Sequence, residues 1–450
     1  MYTSYIGKKF LKLYNEKNKT EFTAEQFFDE IIFSLFFNSE KHFLNVANSS
    51  FFQSVGKKEL EGGKNIHELK LERFHRNVKN DGASLTTLVG YSSQDLFAGT
   101  SGQSSSLEIH IDEEEMYASW IGSGLSIAMG GGYSIFLDNE VVLYALFDGW
   151  QHYRQYLNQT PILKGNQIDV WNSYWICHSL SSKYNSEEPL DYFSFPDYVL
   201  CKADKWKKLG FHELNTNKWS SIILALGRRF SDSELLTANA FKFADMNQTL
   251  GFVNIYLKEI NELYKIRDKI ILTKNETILS DKDIENIEPF YYFKDACALG
   301  TIGLKALEPA KLREFMPKGS AQYAQGKDYK FSDEKSYFNY KLFKIWIYAM
   351  LNKKEIIQLA DQLALILLQY EDASKESSRG KTSKSETIRK VIESKHFKEF
   401  AENVKSLINS ENSKSLEEIV QKTYIEIQSD NFPLFLTLVR FQYQILQVNS

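Results

Sequence analysis

The chain contains 450 residues, of which 43% are hydrophobic and 25% are charged, so it is a globular protein long enough for two or three domains. Its formal net charge of −4 argues against a protein that coats nucleic acid on its own, although local basic surfaces can still contact phosphates. The three cysteines, Cys177, Cys201 and Cys297, are widely spaced, which argues against a disulfide framework or a four-cysteine zinc site and suits a cytoplasmic protein.

The N-terminal segment, residues 1–55, is predicted to be helical and to lack a signal peptide. Thr23, followed three residues later by Gln26, predicts a capping box at the start of a helix rich in phenylalanine. The stretch HFLNVANSSFFQ, residues 42–53, then breaks the helical pattern with short polar side chains that favour turns. Residues 56–80 are charged and are predicted to be mostly loop.

The middle of the chain carries strand signals. Residues 107–112 alternate apolar and polar positions, which predicts a strand. Residues 124–150 predict a strand, a glycine turn, a second strand, an Asp-Asn turn and a third strand, with a helix following at 149–158. Gly130, Gly131 and Gly132 predict a tight hairpin turn, because the Gly-Lys-Ser/Thr of a phosphate-binding loop does not follow them. A further helix is predicted around 246–272.

The C-terminal third changes character, with apolar residues at helical spacing and almost no strand signal. The five predicted helices span 336–351, 355–370, 386–408, 415–428 and 433–446, and short connections favour an antiparallel bundle. A polar, mostly basic loop is predicted at 371–386. The sequence therefore predicts an α+β protein with two parts: a mixed α/β body with an antiparallel sheet at 1–330, and an all-helical bundle at 331–450. No run of apolar residues approaches the roughly 20 of a membrane span.

No catalytic constellation is recognisable, so neither catalysis, a cofactor nor a metal is predicted. The histidines do not have the spacing of metal ligands, and nucleophile signatures are missing. The Pro-Asp at Pro196 and Asp197 resembles the opening of a nuclease core, but the acid-x-Lys that should follow on a strand is missing.

Basic residues are concentrated in three segments, 57–79, 202–229 and 375–405, next to aromatic residues such as Phe74, Trp206 and Trp219. Mixed basic and aromatic residues are typical of surfaces that follow a nucleic-acid backbone. The ordinary alternative is a set of solvated charged faces. The backbone-binding candidates in the first two segments include Arg73, Arg76, Lys207 and Lys208.

The chain resembles the large subunit of type I CRISPR Cascade complexes, most closely the I-B-like Cst family. The resemblance lies in the order of several segments and in the pattern of residue types within each. These segments are the opening YIGKKFLKLYNEKN with the helix that begins at a threonine, NVANSSFF, the central GLSIAMGGGYSIFLDNEVVLYALFDGWQHYR and the closing helices. Members of that family often carry paired Cys-x-x-Cys motifs that bind zinc. This sequence has no such motif, so zinc is not carried over.

The resemblance implies a non-catalytic subunit of an antiviral surveillance complex. Such a subunit reads the protospacer-adjacent motif on double-stranded DNA, helps to open the strands into an R-loop and docks a helicase-nuclease, while the guide RNA reads the target sequence by pairing. The implied partners are the guide CRISPR RNA, target double-stranded DNA, the Cascade backbone and 5′-handle-capping subunits, small subunits and the helicase-nuclease. The C-terminal bundle is expected to lie along the displaced strand.

Under this resemblance, specific side chains become candidates. The side chains expected to contact the motif duplex are Asn45, Asn48, Ser49 and Ser50. Lys57 and Lys58 would contact its phosphates. Asn166 and Gln167 form a second candidate loop for reading the motif. Arg228 and Arg229 would hold guide-RNA or DNA phosphates. Lys381, Lys384, Arg389 and Lys390 would line the path of the displaced strand. The alternative for residues 45–50 is an ordinary turn after a helix, with no partner.

Two other functional classes stay open at this point. One is a restriction or anti-phage nuclease with a degenerate core around Asp197. The other is a scaffold protein without nucleic acid, which would show no salt-dependent binding to DNA or RNA.

Overall fold

The computed structural model describes residues 1–56, 59, 63–90, 111–193, 199–203, 210–230, 235–242, 248–269, 290–307, 354–372, 378–427 and 432–449. The chain divides into two compact units, the first made of residues 1–258 and 293–302 and the second of 259–292 and 303–450. The predicted α+β fold with a helical C-terminal region is confirmed. The boundary predicted near residue 330 lies outside the described residues.

Helices account for most of the described part of the chain before residue 300. In chain order they are α1 (Tyr2–Asn18), α2 (Ala24–Phe27), a π-helix (Phe28–Phe37), α3 (Ile66–Asp81), α4 (Glu113–Gly124), α5 (Glu140–Gln159), α6 (Ile168–Ser179), α7 (Trp219–Arg229), α8 (Leu257–Lys269) and α9 (Phe290–Ala298).

The strands form two sheets. They are β1 (Ile127–Met129), β2 (Tyr133–Leu137), β3 (Val199–Ala203), β4 (Gly210–Leu214), β5 (Leu235–Lys242), β6 (Gln248–Tyr256) and β7 (Thr301–Ile302). The larger sheet has the order β1-β2-β5-β6-β7 and the smaller pairs β3 with β4. All neighbours are antiparallel except β6 and β7. The predicted glycine hairpin is confirmed, since Gly131 and Gly132 have φ of 93° and 78° between β1 and β2.

The capping box at the start of α2 is also confirmed. The Thr23 side chain accepts a hydrogen bond from the Gln26 backbone N–H at 3.2 Å, and the Gln26 side chain accepts one from the Thr23 backbone N–H at 2.9 Å. This reciprocal pair satisfies two N–H groups that a helix start leaves without partners. The helical segment that begins here ends at Phe37, so the prediction that residues 1–55 are helical throughout is wrong for 38–55.

The predicted third strand after β2 is wrong, because residues 140–159 form helix α5. Asn139 caps this helix by accepting a hydrogen bond from the Val142 backbone N–H at 3.1 Å. The buried side chains of α5 recur at helical spacing along one face, and they are Val142, Leu143, Leu146, Gly149, Trp150, Tyr153 and Leu157. The β-branched start of this segment gave a strand signal that the cap and the longer periodicity override.

Two further elements differ from expectation. Residues 66–81, predicted to be loop, form helix α3, which Asn65 caps and which buries only Phe74 and Val78. Such a narrow apolar stripe among charged residues gives little periodic signal. Residues 248–256, predicted to be part of a helix, form strand β6 before α8 begins at Leu257. Residues 107–110 of the predicted strand 107–112 lie outside the described residues. Asp112, at the end of that prediction, caps helix α4.

Helices α1 and α4 pack with their backbones in close contact. A Cβ atom added to Gly7 would overlap the carbonyl oxygen of Ala118, and one added to Gly122 would overlap the carbonyl oxygen of Thr3. Both glycines are therefore required by the space between two helices rather than by a special backbone conformation. The same interface holds hydrogen bonds from Ser4 Oγ to the Glu115 carbonyl oxygen and an ion pair between Lys8 and Glu115.

The second unit is helical over its described C-terminal residues. It contains α10 (Lys354–Asp372), α11 (Ser378–Ile392), α12 (Phe397–Val404), α13 (Ser413–Glu426) and α14 (Phe432–Asn449). Helix α14 packs on α10, and Tyr443 and Gln447 both donate to the Glu371 carboxylate, at 2.7 and 2.8 Å. The predicted helix at 336–351 lies outside the described residues. The predicted loop at 371–386 is shorter than expected, because α11 already begins at Ser378.

Within the described ranges, no helix has both the length and the apolar character needed to cross a membrane.

Replacing Gly122 by alanine is expected to lower the free energy of unfolding by about 3 kcal/mol, because α1 and α4 must move apart to admit a methyl group. Chemical denaturation followed by circular dichroism measures this change. Gly130→Ala is the matched control, because a Cβ there would lie 3.5 Å from the Asn217 carbonyl oxygen, an ordinary contact. Equal stability of the two variants would contradict the close packing of α1 and α4.

Candidate nucleic-acid interface

The segment that follows the π-helix, residues 42–53, is called here the asparagine loop. It is fixed by Phe51, whose side chain is buried and stacks on Phe37 with ring centroids 4.1 Å apart and an interplanar angle of 12°. Phe74 of α3 and Trp120 of α4 lie around the same ring, at 5.2 and 5.9 Å. Phe28 of the π-helix completes this aromatic cluster, at 6.1 Å from Phe51. The loop is therefore tied to three helices.

The four polar side chains predicted to meet DNA divide into two pairs. Asn45 and Asn48 are exposed. Ser49 and Ser50 are fully buried, and the Ser50 hydroxyl accepts a hydrogen bond from Asn77 Nδ2 at 3.2 Å. Two tight turns surround them, with Ser49 N–H donating to the Val46 carbonyl and Phe52 N–H donating to the Ser49 carbonyl. Ser49 and Ser50 thus hold the turn, while Asn45 and Asn48 point toward solvent.

Basic side chains hold the asparagine loop and its flanks through backbone carbonyls. Arg154 of α5 donates to the Leu35 carbonyl at 2.8 Å and to the Lys41 carbonyl at 2.9 Å, with its guanidinium 4.4 Å from the Phe43 ring. Lys70 of α3 donates to the Phe51 carbonyl at 2.7 Å. Lys41 donates to two carbonyls at the end of α5, those of Leu157 and Thr160.

These contacts leave positive charge in place. Within the described ranges, Lys41, Lys70 and Arg154 form no ion pair with a carboxylate. A carbonyl oxygen satisfies the donor hydrogen but does not cancel the charge. Arg73 differs, since it donates both to the Ser54 carbonyl at 3.1 Å and to Glu59 at 2.8 Å.

Burial is the main cause of the pKa shifts around the loop. It lowers the pKa of His42 to about 4, and the nearby charges of Lys70, His67 and Arg154 lower that pKa further. Burial, followed by the charge of Arg154, lowers the pKa of Lys41. Burial alone lowers the pKa of Arg154 to about 10. The shifts of His42 and Lys41 thus include a smaller contribution from neighbouring positive charge.

The second predicted loop, Asn166 and Gln167, braces the first. The Asn166 backbone N–H donates to the His42 carbonyl at 2.6 Å, and its side-chain nitrogen, oriented toward the loop, donates to the carbonyls of His42 and Leu44 at 3.1 and 2.9 Å. The Gln167 amide forms a reciprocal pair with the Leu214 backbone at 2.9 and 3.2 Å. Both side chains are thus engaged inside the fold, and their expected role in reading DNA gives way to a supporting one.

The remaining predicted side chains are distributed over both units. Arg76 and Arg229 are exposed, and Arg228 is half-buried. In the second unit, Arg389 pairs with Glu393 at 3.1 Å, Lys390 pairs with Glu386 at 3.5 Å, and Lys384 lies 4.9 Å from the Tyr370 ring. Lys57, Lys58, Lys207, Lys208 and Asp197 lie outside the described residues, as does the side chain of Lys381.

Sequence reasoning missed Lys41 and Arg154. Arg154 is the single Lys or Arg of the α5 stretch from 140 to 159. It lies next to the apolar position Tyr153, and this is a signal that could have been used, because an arginine needs acceptors when half-buried. Lys41 immediately precedes the asparagine loop and could have been added to its basic neighbours.

Among the described residues, no group of three or more His, Cys, Asp or Glu side chains is placed to hold a metal ion. No protein-family model, no curated protein and no solved structure matches the chain.

The lowered pKa of the half-buried His42 predicts a pH dependence of stability. The unfolded chain takes up a proton on this histidine below about pH 6.5, whereas the folded chain does so only near pH 4. The unfolded state therefore binds more protons in this window, so the free energy of unfolding falls as the pH is lowered from 6.5 to 4. Denaturation at a series of pH values measures the slope.

His42→Gln is expected to make that slope shallower. His396→Asn is the matched control, because His396 is exposed and caps α12, a role that asparagine can keep. An unchanged slope in His42→Gln would contradict a neutral His42 in the folded protein.

Proposed function

We propose that this chain is the non-catalytic large subunit of a type I CRISPR Cascade complex and that Asn45 and Asn48 meet the protospacer-adjacent motif of target DNA. The observation that supports this most is the asparagine loop, which carries two exposed amides and whose backbone and flanks are held by Lys70 and Arg154, cations that form no ion pair among the described residues. The proposal of a Cascade complex in particular rests on the resemblance of this chain to the large-subunit family in the order of its segments.

Chemistry links the loop to duplex DNA. An asparagine amide carries a donor and an acceptor side by side, which pair with the edge of adenine in the major groove or with acceptors in the minor groove. Phosphates contribute affinity without sequence information, and Arg76, exposed on α3, is available to them. Reading a short motif with a few such contacts suits a subunit whose complex leaves the long sequence match to guide-RNA pairing.

The loop has the rigidity that such reading requires. Phe51 is held inside the aromatic cluster, and Lys70 and Arg154 fix the backbone on either side. A reading side chain on a loop already held in one conformation loses less conformational entropy on binding than one on a loose segment. The Asn45 and Asn48 amides therefore lose little conformational entropy when they bind.

The helical second unit would lie along the displaced strand. Among the described residues, its basic side chains Arg389 and Lys390 form ion pairs with Glu393 and Glu386, each four residues away along the chain. Such pairs contribute about 0.3–0.5 kcal/mol, so a phosphate can replace the carboxylate partner at little cost. The expected partners are guide RNA, target DNA, the other Cascade subunits and the helicase-nuclease.

Recovery of bound RNA from the native cell tests the proposed complex. Affinity purification of the full chain, followed by sequencing of co-purified RNA, is expected to yield short, uniform RNAs that share a constant 5′ handle, together with a repeated backbone subunit. Recovery of no RNA, or only of random fragments, would overturn the proposed function.

Replacing Asn45 and Asn48 together by alanine is expected to weaken binding of motif-bearing duplex DNA by about tenfold or more, since a good amide–base pairing contributes about 1–3 kcal/mol of discrimination. The measurement is a titration of the assembled complex with duplexes that carry or lack the motif. The preference for the motif should fall, while the dependence on salt, which reports phosphate contacts, should stay.

Asn18→Ala is the matched control, because Asn18 is exposed at the end of α1. If the double variant keeps its preference for the motif, the asparagine loop is not the reading element, even where the RNA recovery supports the complex.

A further inference from the structure

The larger sheet has two unlike faces near strand β6. Along β5, β6 and β7 one face is buried, formed by Leu236, Ala238, Ala240, Val253, Ile255 and Ile302. On the opposite face, the side chains of Phe252 and Tyr256 are 65% and 40% exposed. They are four residues apart on one strand, so they lie on the same side of the sheet. Asn254 lies between them.

We propose that this outer face, formed by Phe252, Asn254, Tyr256, Thr237 and Thr301, binds unpaired nucleobases by stacking. It belongs to the same compact unit as the asparagine loop but is a different surface. The proposal does not rest on membership of a Cascade complex, since it concerns the chemistry of a single strand rather than the reading of a duplex.

The Phe252 ring is held in place without being covered. Tyr2 of α1 packs edge-on against it with ring centroids 5.6 Å apart and an interplanar angle of 72°. Tyr2 is itself fixed edge-on to Phe136 of β2 at 5.8 Å. An aromatic ring that one neighbour holds in place and that stays 65% exposed is suited to stack on a base, which needs a flat exposed ring.

A β-bulge directs this side chain. The register between β5 and β6 shifts between Ala240 and Phe241, and Gly251, just before Phe252, has φ of 93°. A bulge bends its strand and changes the direction of neighbouring side chains. Glycine adopts this backbone conformation without strain. The sequence thus specifies a local irregularity directly before the exposed ring.

Hydrogen-bonding groups surround the aromatic pair. Asn254 stands opposite Thr237 on β5 and Thr301 on β7, and all three are half-buried. Within the described part of the chain their side chains form no hydrogen bond, so the amide and the two hydroxyls can bind a base edge or a sugar. Sheets that recognise single strands combine aromatic rings and polar side chains in this way.

Asn239 adds an acceptor that lacks a partner. It is paired directly with Phe252 across the strands, so the two side chains share the outer face. Its side chain is 5% exposed, and its Oδ1 has no hydrogen-bond partner among the described residues. An unpaired buried acceptor lowers stability. Because this Oδ1 is closed to solvent, an amino group of a base stacked beside Phe252 would supply the donor only after the Asn239 side chain turns outward.

The composition of the face favours a base over an apolar protein segment. Apart from the two rings, the described side chains in register on this face are amides and hydroxyls: Thr237, Asn239, Asn254 and Thr301. Leu235, paired with Tyr256, is an aliphatic position of the same register. Leu299, 76% exposed, is an aliphatic neighbour on the turn whose Gly300 carbonyl accepts from the Asn254 backbone N–H at 2.9 Å. It therefore offers a matched comparison between stacking and apolar contact.

Fluorescence anisotropy of the purified full chain with short labelled oligouridine and oligothymidine tests the proposal. Phe252→Ala is expected to weaken binding about tenfold, the order found for one stacked base, and Phe252→Tyr should restore it. Leu299→Ala should leave binding unchanged. A preference for oligouridine would indicate contacts with the 2′-hydroxyl of RNA, and equal binding would indicate contacts with the bases alone.

Thermal melting of each variant checks folding, and Phe252→Ala should be well folded because the ring is mostly exposed. Three results would overturn the proposal: no binding of either oligonucleotide, equal binding by Phe252→Ala and the unaltered chain, or an equal loss in Leu299→Ala, which would point to an apolar protein partner. Motif-duplex binding should be unaffected by Phe252→Ala, so this outcome is separable from that of the Asn45 and Asn48 variant.

Discussion

The aromatic cluster around Phe51 is the constraint on which the candidate interface depends. Five large rings from the π-helix, α3, α4 and the asparagine loop share one interior space, and Phe28, Phe51, Phe74 and Trp120 are each no more than 1% exposed. Aromatic side chains bury large areas and prefer stacked or edge-on contacts, so the cluster fixes both the distance and the angle between its helices. The position of the exposed Asn45 and Asn48 amides therefore depends on the burial of Phe51, which follows them in the same loop.

The basic side chains near the loop donate hydrogen bonds to backbone carbonyls at the end of the π-helix and beyond it. The π-helix ends with carbonyls that have no partner within the helix, and buried carbonyls need donors. Arg154 donates two hydrogen bonds to the Leu35 carbonyl near this end and a third to the Lys41 carbonyl just beyond the helix. A hydrogen bond to a charged group contributes about 1.5–3 kcal/mol, and its charge stays uncancelled when the acceptor is a carbonyl. Stability of the loop and attraction for an anion thus come from the same side chains.

Local signals in the sequence were sufficient for elements whose structure is set by neighbours along the chain. Thr23 and Gln26 predicted a capping box, Gly131 and Gly132 predicted a hairpin, and long apolar periodicity predicted helices α10, α13 and α14 of the second unit. The single helix predicted at 386–408 is instead divided between α11 and α12. Segment 140–159 was harder, because Val141 and Val142 favour a strand locally whereas the cap at Asn139 favours a helix. For residues 66–81 the decisive contacts are those of Phe74 with the distant rings of Phe28, Phe51 and Trp120, which no local pattern contains.

The candidate interface was predictable only in part, for a related reason. Asn45, Asn48, Ser49 and Ser50 have similar chemistry in the sequence, and burial alone separates them. Each serine lies close to Phe51 along the chain and is drawn inside with it. Each asparagine is far enough from the ring to stay in solvent. Phe252 shows the converse case, an aromatic residue that its sequence would place in a core but that stays at the surface, between a bulge at Gly251 and the Tyr2 ring. Exposed groups of this kind contribute little to folding, whereas the buried neighbours that position them contribute to stability. Substituting the exposed groups therefore tests binding, and substituting their buried neighbours tests the fold.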